Sequence, residues 1–150
     1  MVALVSLILT NVIDLRPDAV TAAPPTTAAS PATVLAANQL FVYGSSKPGQ
    51  PRYDYIQHYV ASETEDSVTG YLYDSGQDYP AAKFGPGEPI AGWVLTIHDD
   101  SVEEFFTEMT QMESGLFALK QVRTVSGLLV RSFEWIGPTD GLERIDHWPR

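Results

Sequence analysis

Leu40-Phe41-Val42-Tyr43-Gly44-Ser45-Ser46-Lys47-Pro48-Gly49 is the stretch on which the fold turns. Its apolar run, ending at Tyr43-Gly44, reads as a buried strand feeding a turn, and a loop rich in Ser, Lys, Pro and Gly follows. A glycine in such a turn lets the backbone come close to a ligand. Consecutive amides there can point at one anion, with serine hydroxyls as further donors. Tyr43, Gly44, Ser45 and Ser46 are therefore candidate ligand-holding residues, a cradle for a carboxylate; a plain strand-to-loop turn accounts for the same residues without a ligand.

Upstream of this strand the composition changes. Across the first 38 residues only Asp14, Arg16 and Asp18 are charged, and Ala19 to Ala37 is nearly all Ala, Pro, Thr, Val and Ser. Pro24, Pro25 and Pro31 block regular structure, and the small side chains bury too little surface to offset the entropy of ordering. Residues 1–38 are expected to be a disordered N-terminal extension and residues 39–150 the folded domain. The apolar run Val2 to Leu9 is far shorter than the roughly 20 residues that span a bilayer. No Lys or Arg precedes it as in a signal peptide, so the expected location is cytoplasmic, with a dispensable extension or a misassigned start.

The whole chain bounds the possibilities further. At 150 residues, with 44% hydrophobic and 19% charged, it is one globular domain plus an appendage. The absence of cysteine excludes a disulfide scaffold, thiolate metal sites and a cysteine nucleophile. Nine basic against nineteen acidic side chains leave a net charge of −10, the wrong sign for nucleic acid or an anionic membrane as partner. His58, His98 and His147 are too scattered for a metal-ligand set. No Gly-x-Ser-x-Gly elbow surrounds Ser45 and Ser46, which disfavours a serine hydrolase.

Downstream, Val68 to Tyr73 and Pro89 to Ile97 read as strands, interrupted by the turn signals Asp74-Ser75-Gly76 and Gly85-Pro86-Gly87. Phe117 to Val125 and Leu128 to Ile136 flank Ser126-Gly127 and form a hairpin candidate with a two-residue closure. The tail from Ile145 is expected to dock Trp148 on the domain. One clear helix lies between Ser101 and Ser114. Ser101 and Glu104 fit a capping box, Asp99 and Asp100 suit the positive end of the helix dipole, and Gly115 suits a left-handed C-terminal cap. The class is α+β, mainly β.

At 100° per residue, Val102, Phe105, Phe106, Met109 and Met112 fall on one stripe of this helix, and Glu113 falls inside it. A carboxyl group desolvated there without a cationic partner has a raised pKa, which is how a general base is made. Fraying before Glu113, or pairing with an arginine such as Arg123, would explain the position structurally. On the first view Glu113→Gln should leave stability equal or higher, since it removes the cost of burying a charge.

Taken together, these segments resemble the γ-glutamylcyclotransferase-like (AIG2-like) family. The resemblance rests on Phe41-Val42-Tyr43-Gly44-Ser45-Ser46-Lys47-Pro48-Gly49, Gly70-Tyr71-Leu72-Tyr73-Asp74, Tyr79-Pro80-Ala81-Ala82, Ile90-Ala91-Gly92-Trp93-Val94-Leu95 and Met112-Glu113-Ser114-Gly115. It implies a small mixed β-barrel flanked by helices, with the Tyr-Gly-Ser loop and the helix-end glutamate facing one cavity. It also implies a small-molecule γ-glutamyl substrate, cyclised to 5-oxoproline with release of an amine. Neither metal nor cofactor is required. Glu113 is carried over as the catalytic acid/base, and Tyr43, Gly44, Ser45 and Ser46 as the substrate-binding loop. The departures are Ser46, where the family commonly has Leu or Asn, and Phe117 with Leu119-Lys120, where members often carry Tyr and Arg; a phenol that could orient substrate is missing. The alternative is a non-catalytic member of the same fold serving as a small-molecule or protein-binding module. All seven tyrosines lie between Tyr43 and Tyr79, as an aromatic wall near the pocket or as a plain tyrosine-rich strand surface.

Overall fold

The computed structural model describes residues 34–149. Most of the expected disordered extension, including the Val2–Leu9 run, lies outside the described residues. From Ala36 the chain already lies along the domain: the Ala36 amide donates to the Leu129 carbonyl (2.9 Å) and the Ile97 amide to the Asn38 carbonyl (2.7 Å).

Strand β1 (Gln39–Val42) is central. It runs antiparallel to β4 (Glu88–Ile97) and parallel to β6 (Leu129–Trp135). Alternate side chains of a strand point to opposite faces, and here both faces are covered. Leu40 and Val42 join Leu95, Ile97 and Phe133 beneath the helices, while Phe41 and Tyr43 join Val68, Leu72, Ile90, Val94 and Val130 in the barrel interior. That double burial is why the run carries no polar alternation. The Ser132 hydroxyl, fully buried beside Phe41, donates to the Phe41 carbonyl at 2.7 Å and so meets the cost of its burial.

The other described strands complete a nearly closed mixed barrel with flanking helices, as the family resemblance implied. Strand β2 (Val60–Asp74) pairs with β4 over its first part, with β3 (Pro80–Phe84) over its last five residues and with β7 (Glu143–Ile145) over its last three. Strand β5 (Phe117–Arg123) pairs antiparallel with β6. Between β6 and β3 a side chain replaces a ladder bond: the Glu134 carboxylate accepts the Phe84 amide at 2.9 Å. Two short helical segments, α1 (Tyr53–Ile56) and a 3₁₀ turn (Gln57–Tyr59), precede β2; helix α2 (Val102–Glu113) follows β4. Among the described residues no helix is long and apolar enough to cross a membrane.

Several expectations need correction. Strand β2 starts eight residues before Val68, because Val60–Ser67 is mostly solvent-facing and its polar side chains hide a strand held by backbone pairing. Strands β3 and β7 are too short to show a period. The hairpin closes over three residues rather than two: the Thr124 amide bonds the Leu128 carbonyl (2.8 Å), the Gly127 amide bonds the Thr124 carbonyl (2.9 Å), and Gly127 is left-handed, as in a type I turn with a bulge. The capping box is not formed. A 3₁₀ turn (Asp99–Ser101) leads into α2, the Ser101 hydroxyl bonds the Asp100 carboxylate, and the Glu104 carboxylate instead accepts the Tyr59 hydroxyl at 2.8 Å. The opposite end is as expected, with Gly115 at φ 86°. Trp148 does pack on the barrel core.

The hairpin tip is pinned to β2 by Asp66. Its carboxylate accepts the Ser126 hydroxyl at 2.6 Å and the Ser67 amide at 2.8 Å. Burial alone would push this carboxyl up, but the hydrogen bonds from Ser126, Ser67 and Thr124 outweigh it and hold it below the usual carboxylate range. A depressed folded-state pKa adds stability above the unfolded value, which is lost as pH falls through the folded one. Asp66→Asn should therefore cost no more than about 1 kcal/mol at pH 7, the carboxylate being only half-buried. The gap to wild type should close below about pH 4 in urea unfolding. Leu40→Ala, deep in the core, should cost roughly 2–5 kcal/mol in the same measurement.

Candidate active site

The end of β1 delivers Tyr43-Gly44-Ser45-Ser46 to the mouth of the barrel. Tyr43 is held firmly: its ring packs edge-on to Phe84 (centroids 5.7 Å) and its hydroxyl donates to the Phe133 carbonyl at 2.5 Å. Burial, reinforced by the nearby Glu113 carboxylate, pushes the phenol far up from its ordinary value, so it keeps its proton. The phenol's proton is engaged by the Phe133 carbonyl.

Gly44 has a reason visible only in three dimensions. A Cβ there would meet the Pro80 ring at 2.7 and 2.9 Å, closer than carbon atoms approach in proteins. The close approach this glycine permits is to buried Pro80, so Tyr43-Gly44 and Tyr79-Pro80 are two halves of one packing unit. After Gly44 the chain turns tightly, with the Lys47 amide on the Gly44 carbonyl (3.0 Å). Among the described residues the Ser45 and Ser46 amides donate to no backbone carbonyl. The loop then doubles back, and the Arg52 amide bonds the Ser45 carbonyl at 3.0 Å.

That return places Arg52 against Glu113. Helix α2 buries Phe105, Phe106 and Met109, and Glu113, one turn after Met109, has its side chain only 13% exposed. Met112, expected in the same stripe, lies at its edge and is 40% exposed. The Glu113 carboxylate is hydrogen-bonded and ion-paired to the Arg52 guanidinium. The expectation of a buried acid without a cationic partner is thus corrected. The partner is Arg52, 61 residues away in sequence, and not Arg123, whose guanidinium bonds the Gly127 carbonyl. The ion pair offsets the burial of charge that the position would otherwise impose.

The five residues singled out from sequence line one cavity. Tyr43, Gly44, Ser45, Ser46 and Glu113 surround a hollow of about 40 Å³, together with Arg52, Tyr79, Pro80, Met109, Phe117 and Phe133. Arg52 was missed because nothing in Pro51-Arg52-Tyr53 marks a site; the only signal was its place in the loop after Tyr-Gly-Ser. Of the seven tyrosines, Tyr43 and Tyr79 alone line this cavity, so the aromatic wall is mostly a strand and helix surface. Phe117 packs edge-on between Tyr79 (5.8 Å) and Trp135 (5.6 Å), and the nearby Tyr79 brings a phenol to the cavity wall where Phe117 has none.

Chemically, the hollow combines a carboxylate balanced by a guanidinium with the backbone and hydroxyls of Ser45 and Ser46. That set can hold an ammonium at one end and a carboxylate or oxyanion at the other. Gly44→Ala should cost about 1–3 kcal/mol by overpacking. Adding Pro80→Ala should recover part of that loss, a coupling to be read by a double-mutant cycle on urea unfolding.

The sequence profile of the family described as "Gamma-glutamyl cyclotransferase, AIG2-like" matches residues 40–146. No curated protein sequence matches the chain. Among solved structures it is similar to an uncharacterized protein from Pyrococcus horikoshii, at 26% identity and TM-score 0.55 over 72% of this chain and 85% of that one. It shares the fold of a uropathogenic E. coli-specific protein (17%, TM-score 0.59, 73% and 87%). It also shares that of an AIG2-like protein from Mus musculus (19%, TM-score 0.52, 74% and 87%).

Proposed function

Because the chain belongs to the gamma-glutamyl cyclotransferase, AIG2-like family, we propose that it is a cyclotransferase that converts a γ-glutamyl amine or γ-glutamyl amino acid to 5-oxoproline and a free amine. The observation that carries this reading is the meeting of Glu113 with the Tyr43–Ser46 bend across one cavity.

The reaction is an internal substitution. Glu113 takes a proton from the substrate's α-ammonium, and the freed nitrogen attacks the γ-carbonyl carbon. The ring nitrogen gives up a second proton to solvent and keeps one as the lactam N–H, the bond from that carbon to the departing nitrogen breaks, and Glu113 returns the first proton to the leaving amine. One acid/base group serves both steps because nucleophile and electrophile belong to one molecule, so much of the rate comes from holding the substrate folded. The chemistry requires no cofactor. The Ser45 and Ser46 amides and hydroxyls hold the glutamyl end of the substrate, while Tyr43 and Gly44 fix the shape of the bend. Arg52 has a positioning role: it orients the carboxylate and balances its charge until the substrate ammonium arrives.

Glu113→Gln should lower 5-oxoproline release from a mixed γ-glutamyl library at least about 100-fold, read by mass spectrometry. The ion pair revises the stability expectation drawn from sequence. The variant leaves Arg52 uncompensated, so thermal unfolding should show a loss on the order of 1 kcal/mol, moderated because Arg52 is partly exposed. Unchanged turnover would discard Glu113 as the acid/base. A wild-type protein silent across the whole library would favour the non-catalytic binding module.

A further inference from the structure

A second hollow, of about 570 Å³, lies beside the first, and Ser45, Arg52 and Tyr79 line both. Its apolar wall comes from Pro51, Tyr55 on α1, Met112 on α2 and Trp148 with Pro149 in the tail, and Gln50, Gln77 and Asp78 supply a polar rim. Tyr55 is 74% exposed and Met112 is 40% exposed, and neither belongs to the two core clusters. The Lys47 ammonium donates to the Trp148 carbonyl and ties the tail to the loop that carries Ser45. Apolar side chains from three separate segments thus converge on a groove continuous with the cavity that holds Glu113.

The sizes of the two hollows divide a substrate between them. The inner one, about 40 Å³, is a small fraction of the outer one's 570 Å³. The smaller hollow, which holds Glu113, suits the reacting end of a γ-glutamyl compound and leaves the larger one for the remainder. Cyclisation leaves the amine's substituent pointing away from the new ring, and the hollow that adjoins the reacting end past Ser45, Arg52 and Tyr79 is the apolar groove. Among the described residues its charged side chains are Arg52, already paired with Glu113, and Asp78.

We propose that this groove is the leaving-group subsite, and that it selects γ-glutamyl compounds whose amine carries an aromatic or bulky aliphatic body. The inference rests on the cyclotransferase reading and names the substrate class of that same site. Burying such a body against Tyr55, Met112 and Trp148 supplies binding that a small amine cannot.

The test compares γ-glutamyl phenethylamide with γ-glutamyl methylamide, following 5-oxoproline formation. The expected kcat/KM ratio is at least about 10-fold in favour of the phenethylamide, the scale of discrimination of an apolar pocket. Tyr55→Ser combined with Met112→Ser, both at exposed positions, should bring that ratio down several-fold. Equal kcat/KM for the two amides, or a preference that survives the double variant, would overturn the groove assignment while leaving the cyclotransferase reading intact. Absence of 5-oxoproline from both amides and from the mixed library would overturn the two together.

Discussion

Burial of β1 on both faces is the constraint from which the rest of the structure follows. With Leu40 and Val42 under the helices and Phe41 and Tyr43 in the barrel, the strand cannot slide by one residue without exchanging its two cores. Its register against β4 and β6 is therefore set, and so is the point at which the chain leaves the barrel. Tyr43 closes that exit by donating to the Phe133 carbonyl, and Pro80 packs where a side chain on Gly44 would be. The loop beyond starts from a fixed position because the strand before it has no freedom.

The ion pair between Arg52 and Glu113 joins this loop to the end of α2. The loop supplies the cation through the Arg52-to-Ser45 backbone bond, and the helix supplies the anion through the same stripe that buries Phe105 and Met109. Neither charge would be tolerated half-buried by itself, since an unpaired ion in such a place loses more in hydration than local contacts return. Loop and helix thus hold each other in place. The proposed chemistry uses the same geometry, because a carboxylate held by a guanidinium lies across a narrow gap from the Ser45 and Ser46 amides.

The rest of the molecule serves closure. Glu134 bridges from β6 to the Phe84 amide, Asp66 ties the β5–β6 hairpin to β2, and Trp148 lays the tail on the barrel core. In the first two, a carboxylate accepts backbone or hydroxyl donors at a place where the ladder or the hairpin has run out. Acidic side chains are abundant in this chain, and part of their surplus is spent on such joints rather than left to solvent.

Much of this was legible along the chain because its signals are local. An apolar run marked β1, a 3.6-residue stripe marked α2 and singled out Glu113, and glycine marked the hairpin tip and the helix end. Those signals singled out the five candidate site residues, and the small mixed barrel came from the family resemblance carried by the Tyr-Gly-Ser and Tyr-Pro-Ala segments. The first half of β2 was hidden because a strand held by backbone pairing and facing water leaves no hydrophobic period. Ser101 and Glu104 formed no capping box because the Tyr59 hydroxyl, from another segment, claimed the glutamate. Local pattern could place Glu113 in an apolar stripe, but the choice of Arg52 as its partner, the fit of Pro80 over Gly44 and the apolar groove beside the cavity were decided by tertiary structure. Each depends on segments distant in sequence being brought to one point, and the physics that joins them, charge compensation and close packing, acts through space rather than along the chain.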